Sequence, residues 1–144
     1  MAYADYDYYR DTYMGAVGEE DFKRLAVRAS SYLDYYTMGK AAAATGTDPV
    51  KMCCCALVDK YAIIETAQAL AAKSISAAGA SEVKSETVGG YSRTLATGGE
   101  SANAALSTLE EAKKALPGVC VEYLAYTGLL YRGRGCGCCT PPTP

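Results

Sequence analysis

With 144 residues, 50% of them apolar and 21% charged, the chain has the composition of one ordered globular domain with a core of its own, which excludes an intrinsically disordered segment. A formal net charge of −2 excludes the whole-chain basic character that nonspecific nucleic-acid affinity requires, leaving only a local basic patch. No run reaches the roughly 18 to 20 apolar residues of a membrane span, and histidine, the commonest general base and metal ligand, is absent, which removes most catalytic readings.

The first segment, Tyr3 to Tyr13, is rich in tyrosine and acid and ends at Gly15. Asp5 as cap, with Tyr6, Tyr9 and Tyr13 at helical spacing, predicts a short helix. The same opening residues hold Asp and Tyr where a signal peptide would hold a basic start and an apolar centre, so an unsecreted protein is expected. From Glu19 to Tyr36, the residues Phe22, Leu25, Ala26, Ala29, Leu33 and Tyr36 recur at intervals of three and four, which predicts an amphipathic helix. Its first turn carries Glu19, Glu20 and Asp21, where the helix dipole favours negative charge.

A small-residue connection, Met38 to Thr47, leads to Asp48-Pro49, an N-cap followed by the one helical position that welcomes proline. A longer helix is predicted from there to about Ile75, with Val50, Cys54, Leu57, Tyr61, Ile64, Ala71 and Ile75 keeping the period and abundant alanine adding propensity. Seven cysteines, an odd count with three consecutive, favour free thiols in a reducing compartment. Successive side chains on a helix point about 100° apart, so Cys53, Cys54 and Cys55 cannot close on one ion and are expected as small apolar residues.

Next comes a polar strip, Ser81 to Gly99, longer than the roughly 12 to 15 residues a compact domain tolerates in an idle loop. Val83, Val88, Tyr91 and Leu95 give it spaced apolar residues, and its Val and Thr residues favour extended backbone, so a contact arm, extended or hairpin-like, is expected. Gly89, Gly90, Gly98 and Gly99 match neither a phosphate loop nor a dinucleotide-binding fingerprint.

A third helix is predicted from about Glu100 to Leu116, with Ala102, Ala105, Leu106, Leu109 and Ala112 on its apolar side and Glu110, Glu111, Lys113 and Lys114 as a solvated face. Pro117-Gly118 interrupts it. Val119 to Tyr126 resumes helical spacing before Gly128, as a second helix or as the continuation of one kinked helix. The tail from Arg132 onward is too rich in glycine and proline for a regular element. Its Cys136, Cys138 and Cys139, with Cys120, lack the paired spacing of structural zinc. No metal and no cofactor is expected.

The fold class is therefore all-α: a small bundle of three to four helices with a long extended or hairpin-like loop and an irregular C-terminal tail, divided as a helical domain over 1–134 and a Gly/Cys/Pro-rich tail over 135–144. Thirteen tyrosines against one phenylalanine and no tryptophan favour a partner or oligomer surface, because tyrosine joins apolar area to a polar tip. The plainer reading of any single tyrosine is the rim of a small core.

Taken in order, Tyr3-Ala-Asp-Tyr-Asp-Tyr-Tyr, Glu20-Asp-Phe-Lys-Arg-Leu-Ala, Asp48-Pro-Val-Lys-Met-Cys-Cys-Cys-Ala, Ser85-Glu-Thr-Val-Gly-Gly-Tyr-Ser and Tyr123-Leu-Ala-Tyr-Thr-Gly-Leu-Leu-Tyr-Arg-Gly resemble the small head-tail connector proteins of tailed bacteriophages and prophages. The resemblance runs from Tyr3 to Gly133. It implies a mainly α-helical head-completion adaptor that performs no reaction. Copies of such an adaptor, twelve in the family, form a ring in the virion neck below the portal, after assembly in the host cytoplasm. The implied partners are further copies of the chain, the portal protein and the next neck or tail protein, with transient contact to phage DNA and none to membrane. On this resemblance Val83, Val88, Gly89, Gly90, Tyr91, Leu95, Leu129, Leu130, Tyr131 and Arg132 are candidate interface residues, and Lys84, Arg93 and Arg134 candidates to face the DNA channel. Gly135 to Pro144 departs from the pattern. The alternatives are a generic helical interaction module of a bacterial cytosolic protein and, further off, a small thiol or metal protein using the C-terminal cysteines.

Overall fold

The alanine-rich stretch that opens at Asp48 forms the longest helix of the protein, α3 (Asp48–Ala77). The computed structural model describes residues 2–77, 85–88, 91–94 and 98–132, and its architecture is all-α. A short helical turn, α1 (Tyr6–Tyr8), runs into a π-helical turn, Tyr9–Tyr13. There follow α2 (Glu19–Thr37), a 3₁₀ turn (Lys40–Ala44), α3, the strands β1 (Ser85–Val88) and β2 (Tyr91–Thr94), and α4 (Gly98–Leu124).

Each boundary has a local cause. α2 begins after the extended Gly18, carries its three acids in the first turn, and adds an i,i+4 pair between Lys23 and Glu19 at 2.6 Å. It ends where Met38 and Gly39 turn left-handed, with φ of 55° and 77°, and the Gly39 N–H returns to the Asp34 carbonyl at 2.8 Å. At the start of α3 the first backbone bond runs from the Lys51 N–H to the Thr47 carbonyl, so Thr47 rather than Asp48 holds the cap position. Asp48 instead lies in the first turn, next to Pro49.

α4 passes through Pro117 and Gly118 as one helix. Proline within a helix costs about 3 kcal/mol, but Leu116, Val119, Cys120 and Leu124 are all buried, and each large apolar side chain taken from water returns about 1.5 to 3 kcal/mol. Packing therefore outweighs the break. Both Pro117 and Gly118 face solvent, where the lost bond is best tolerated.

α3 and α4 are antiparallel neighbours: the buried Cys53 and Cys120 thiols interact near one end, while Thr66 and Ala105 line one groove further along. α2 lies across the first half of α3, and the N-terminal segment fills the remaining side. Cys53, Cys54 and Cys55 are fully buried because α3 is enclosed all round at that level. The core is built from Phe22, Leu25, Leu33, Leu57, Ile64 and Leu124 with small residues between them. Between the two long helices, β1 and β2 pair antiparallel with Ser85 opposite Thr94 and Val88 opposite Tyr91, so the expected hairpin is present. Among the described residues no helix is long and apolar enough to cross a membrane.

Candidate interaction surfaces

The N-terminal segment is held by tyrosine hydroxyls donating to carboxylates of the long helices. Tyr9, fully buried, donates to Asp59 Oδ1 at 2.5 Å and accepts from the Val17 N–H at 3.1 Å, while Tyr13 donates to Asp59 Oδ2 at 3.0 Å. Tyr3 donates to Asp34. Burial first, and then the bond to a carboxylate, pushes the Tyr3 and Tyr9 hydroxyls up to about 12 and raises Tyr13 further. The Tyr9 ring covers Gly15 so closely that a Cβ there would sit 1.9 Å from its Cζ, which is why glycine closes this turn. These tyrosines are structural straps, and their acidic partners were not recognisable from helical spacing alone.

The cysteines of the core are packing groups. Ser30 Oγ donates to the Ala26 carbonyl, accepts from the Tyr3 N–H, and lies 3.6 Å from Cys54 Sγ. Burial pushes the Cys55 thiol up to about 12 and raises Cys54 as well. Hydrogen bonding to Cys120, together with burial, raises Cys53. Among the described residues no cluster of three or more Cys, Asp or Glu is placed to hold a metal ion.

Where α2 begins, Arg24 and Arg28 both donate to Glu65, the latter at 2.6 Å, and Arg28 lies 5.0 Å from the centre of the Tyr61 ring. The bond to Arg24 is the main cause holding the Glu65 carboxyl below its ordinary range. Ala16 to Gly18 and the start of α2 end alongside Glu65 and Thr66. Beyond that level α3 runs on to Ala77, about 16 Å at 1.5 Å per residue, with α4 beside it among the described residues. The two helices form an arm, and on it an open groove of about 300 Å³ is lined by Ala62, Ile63, Thr66 and Leu70 of α3 and Ala105 and Thr108 of α4. Leu70 is 53% exposed there.

The candidate residues divide between the arm and the opposite end. Val88, Tyr91 and Arg93 lie in the paired strands. Val83, Lys84, Gly89, Gly90, Leu95 and Arg134, and the tail over 135–144, fall outside the described residues. Leu129 and Leu130 are half-buried against the core and help close the bundle. Tyr131 and Arg132 are exposed, and two cation–aromatic contacts fix them. Arg132 stands 5.6 Å from the centre of the Tyr36 ring, and Lys40 stands 5.8 Å from that of Tyr131 while donating to the Tyr131 carbonyl. Lys40 was not among the sequence candidates, since a lone lysine in a small-residue turn carries no signal of its own.

Together these features define the class: an all-α bundle strapped by its N-terminal segment, with a two-helix arm leading to a β-hairpin. The chain matches no protein-family model, no curated protein and no solved structure. Its function has to be argued from its own residues.

Proposed function

We propose that this chain is a structural neck adaptor: its copies form a ring that joins the portal of a phage head to the next neck or tail protein and leaves a channel for DNA, with no reaction performed. The observation that carries the reading is where the Ser85-Glu-Thr-Val-Gly-Gly-Tyr-Ser motif lies. The fragment that resembles the connector family forms the hairpin between α3 and α4, beyond the part of those helices that α2 encloses. A strand pair offers backbone hydrogen bonds to a partner's edge, a common mode of docking. In this reading the hairpin and the strip around it, from Val83 to Leu95, contact the portal or a neighbouring copy. Tyr131 and Arg132 contact a partner at the other end, with Leu129 and Leu130 supporting them from the core. Lys84, Arg93 and Arg134 face the channel.

Deleting Glu86 to Arg93 tests this. In this reading, helical circular dichroism and the melting temperature should stay nearly unchanged, because the described core is built from α2, α3, α4 and the N-terminal segment, while incorporation into portal-containing necks is lost. A large fall in melting temperature would make the strip part of the fold, and normal incorporation would end the docking role.

A further inference from the structure

The two flanks of α2 carry opposite charge. Two residues along a helix amount to about 200° of rotation, so the pair Ser30 and Asp34 and the pair Tyr32 and Tyr36 lie on opposite sides. The first pair receives the N-terminal segment, through the Tyr3 N–H on Ser30 and the Tyr3 hydroxyl on Asp34. The second pair receives the segment after α4: Tyr32 and Tyr36 stack with ring centres 6.0 Å apart, and Arg132 lies over Tyr36.

The N-terminal flank is acidic, with exposed Asp5, Asp7 and Asp11 against Arg10 and against Lys51 of α3, which stands 5.1 Å from the centre of the Tyr8 ring; Asp7 is 84% exposed and 3.5 Å from the Arg10 guanidinium. The other flank is cationic and aromatic. Lys40 and Arg132 make no ion pair among the described residues, and around them Tyr131 is 62% exposed and Tyr35, Met38 and Tyr126 also stand in solvent. Tyrosine, methionine and arginine are the residue types enriched at protein interfaces, and complementary charge fixes which surface meets which.

We propose that the acidic N-terminal flank of one copy docks on the Lys40–Arg132 flank of the next. The contact is head-to-tail, since each copy uses a different surface on each side, and such contacts close into rings when the rotation allows. It names the lateral interface of the proposed ring and in that respect rests on that reading. Tyr131 and Tyr35 supply the apolar area, and the unpaired cations meet Asp5 and Asp7.

The test is charge exchange on the full chain, followed by sedimentation velocity and native mass spectrometry at low and high salt. Lys40→Glu with Arg132→Glu, and separately Asp5→Lys with Asp7→Lys, should each weaken self-association about tenfold or more. Combining all four substitutions should restore it, because both flanks then carry exchanged charge. A folding defect would not be repaired in this way. Mixing the two double variants should give hetero-association as well. A chain that stays monomeric to millimolar concentration at low salt overturns the contact, as does association that neither double variant weakens. Capture of short DNA that is lost with Lys40→Glu and Arg132→Glu, without self-association, assigns the cationic flank to nucleic acid and also overturns it. A portal-bound ring indifferent to the exchange removes this contact and leaves the adaptor. Charge-sensitive self-association without portal binding removes the adaptor and leaves the contact.

Discussion

Asp59 takes one tyrosine hydroxyl on each carboxylate oxygen, and this one residue ties Tyr9 and Tyr13 of the N-terminal segment to α3. The arrangement makes stability sensitive to alkali. Tyr9 loses its proton near pH 10 in the unfolded chain and near 12 in the folded one, so the folded state holds the proton more tightly. Its contribution is full below pH 10 and is lost as pH rises through about 12. Tyr3 acts in the same direction. Tyr9→Phe should cost about 1 to 3 kcal/mol at pH 7, because it leaves the Val17 N–H and one Asp59 oxygen without their partner. The same variant should lose less of its remaining stability between pH 9 and pH 11.5. Urea unfolding followed by circular dichroism across that range is the measurement, and parallel pH curves for both proteins would mean that Tyr9 is not the titrating strap. Nothing in the spacing of Tyr6, Tyr9 and Tyr13 announced this role. Periodicity marks an apolar face, whereas the acceptors come from distant parts of the chain.

The helices were readable to within a residue or two where an apolar stripe coincided with a boundary signal. Glu19–Thr37 follows its acids and its inward Phe22, Leu25 and Leu33, and Asp48–Ala77 follows its proline and alanines. The Val and Thr residues of the strip left it extended or hairpin-like, and the structure pairs Ser85–Val88 with Tyr91–Thr94, Val88 opposite Tyr91. The break after Leu116 was read from local rules, and long-range packing on α3 overrides it. The cost of the override is still stored in the helix. Gly118 lies in the interior of α4 with open space around it, and alanine there removes only the backbone entropy penalty of glycine. Gly118→Ala should therefore stabilise the protein by about 0.5 to 1 kcal/mol in urea titration. Unchanged or reduced stability would show that the chain needs glycine's freedom beside Pro117.

Across the molecule, stability should fall from the enclosed end toward the hairpin. Around Cys53 to Val58, α3 is covered by α2, α4 and the N-terminal segment, and its buried residues include Val50, Leu57 and Val58. Beyond Thr66 the described residues beside it are those of α4, and among the described residues the buried ones there are Ala67 and Ala71 on α3 and Ala102 and Ala105 on α4. An alanine methyl contributes about 0.8 kcal/mol on burial against about 1.5 to 3 for leucine or valine, so the arm can open at a lower cost than the whole fold. Native-state hydrogen exchange should find the amides of residues 67–76 and 102–107 opening well below the global unfolding free energy. Those of residues 53–58 and 119–124 should exchange only through global unfolding. Uniform protection along both helices would instead make the arm part of one cooperative unit. The gradient also bears on function: Ile63, Leu70 and Leu106 stay partly exposed along the weaker stretch, and a partner seated over them would supply the covering layer that α2 provides lower down. On incorporation into a neck, protection should therefore rise most between residues 66 and 77 and change least around Cys54, whereas a rise confined to the enclosed end would place the partner there instead.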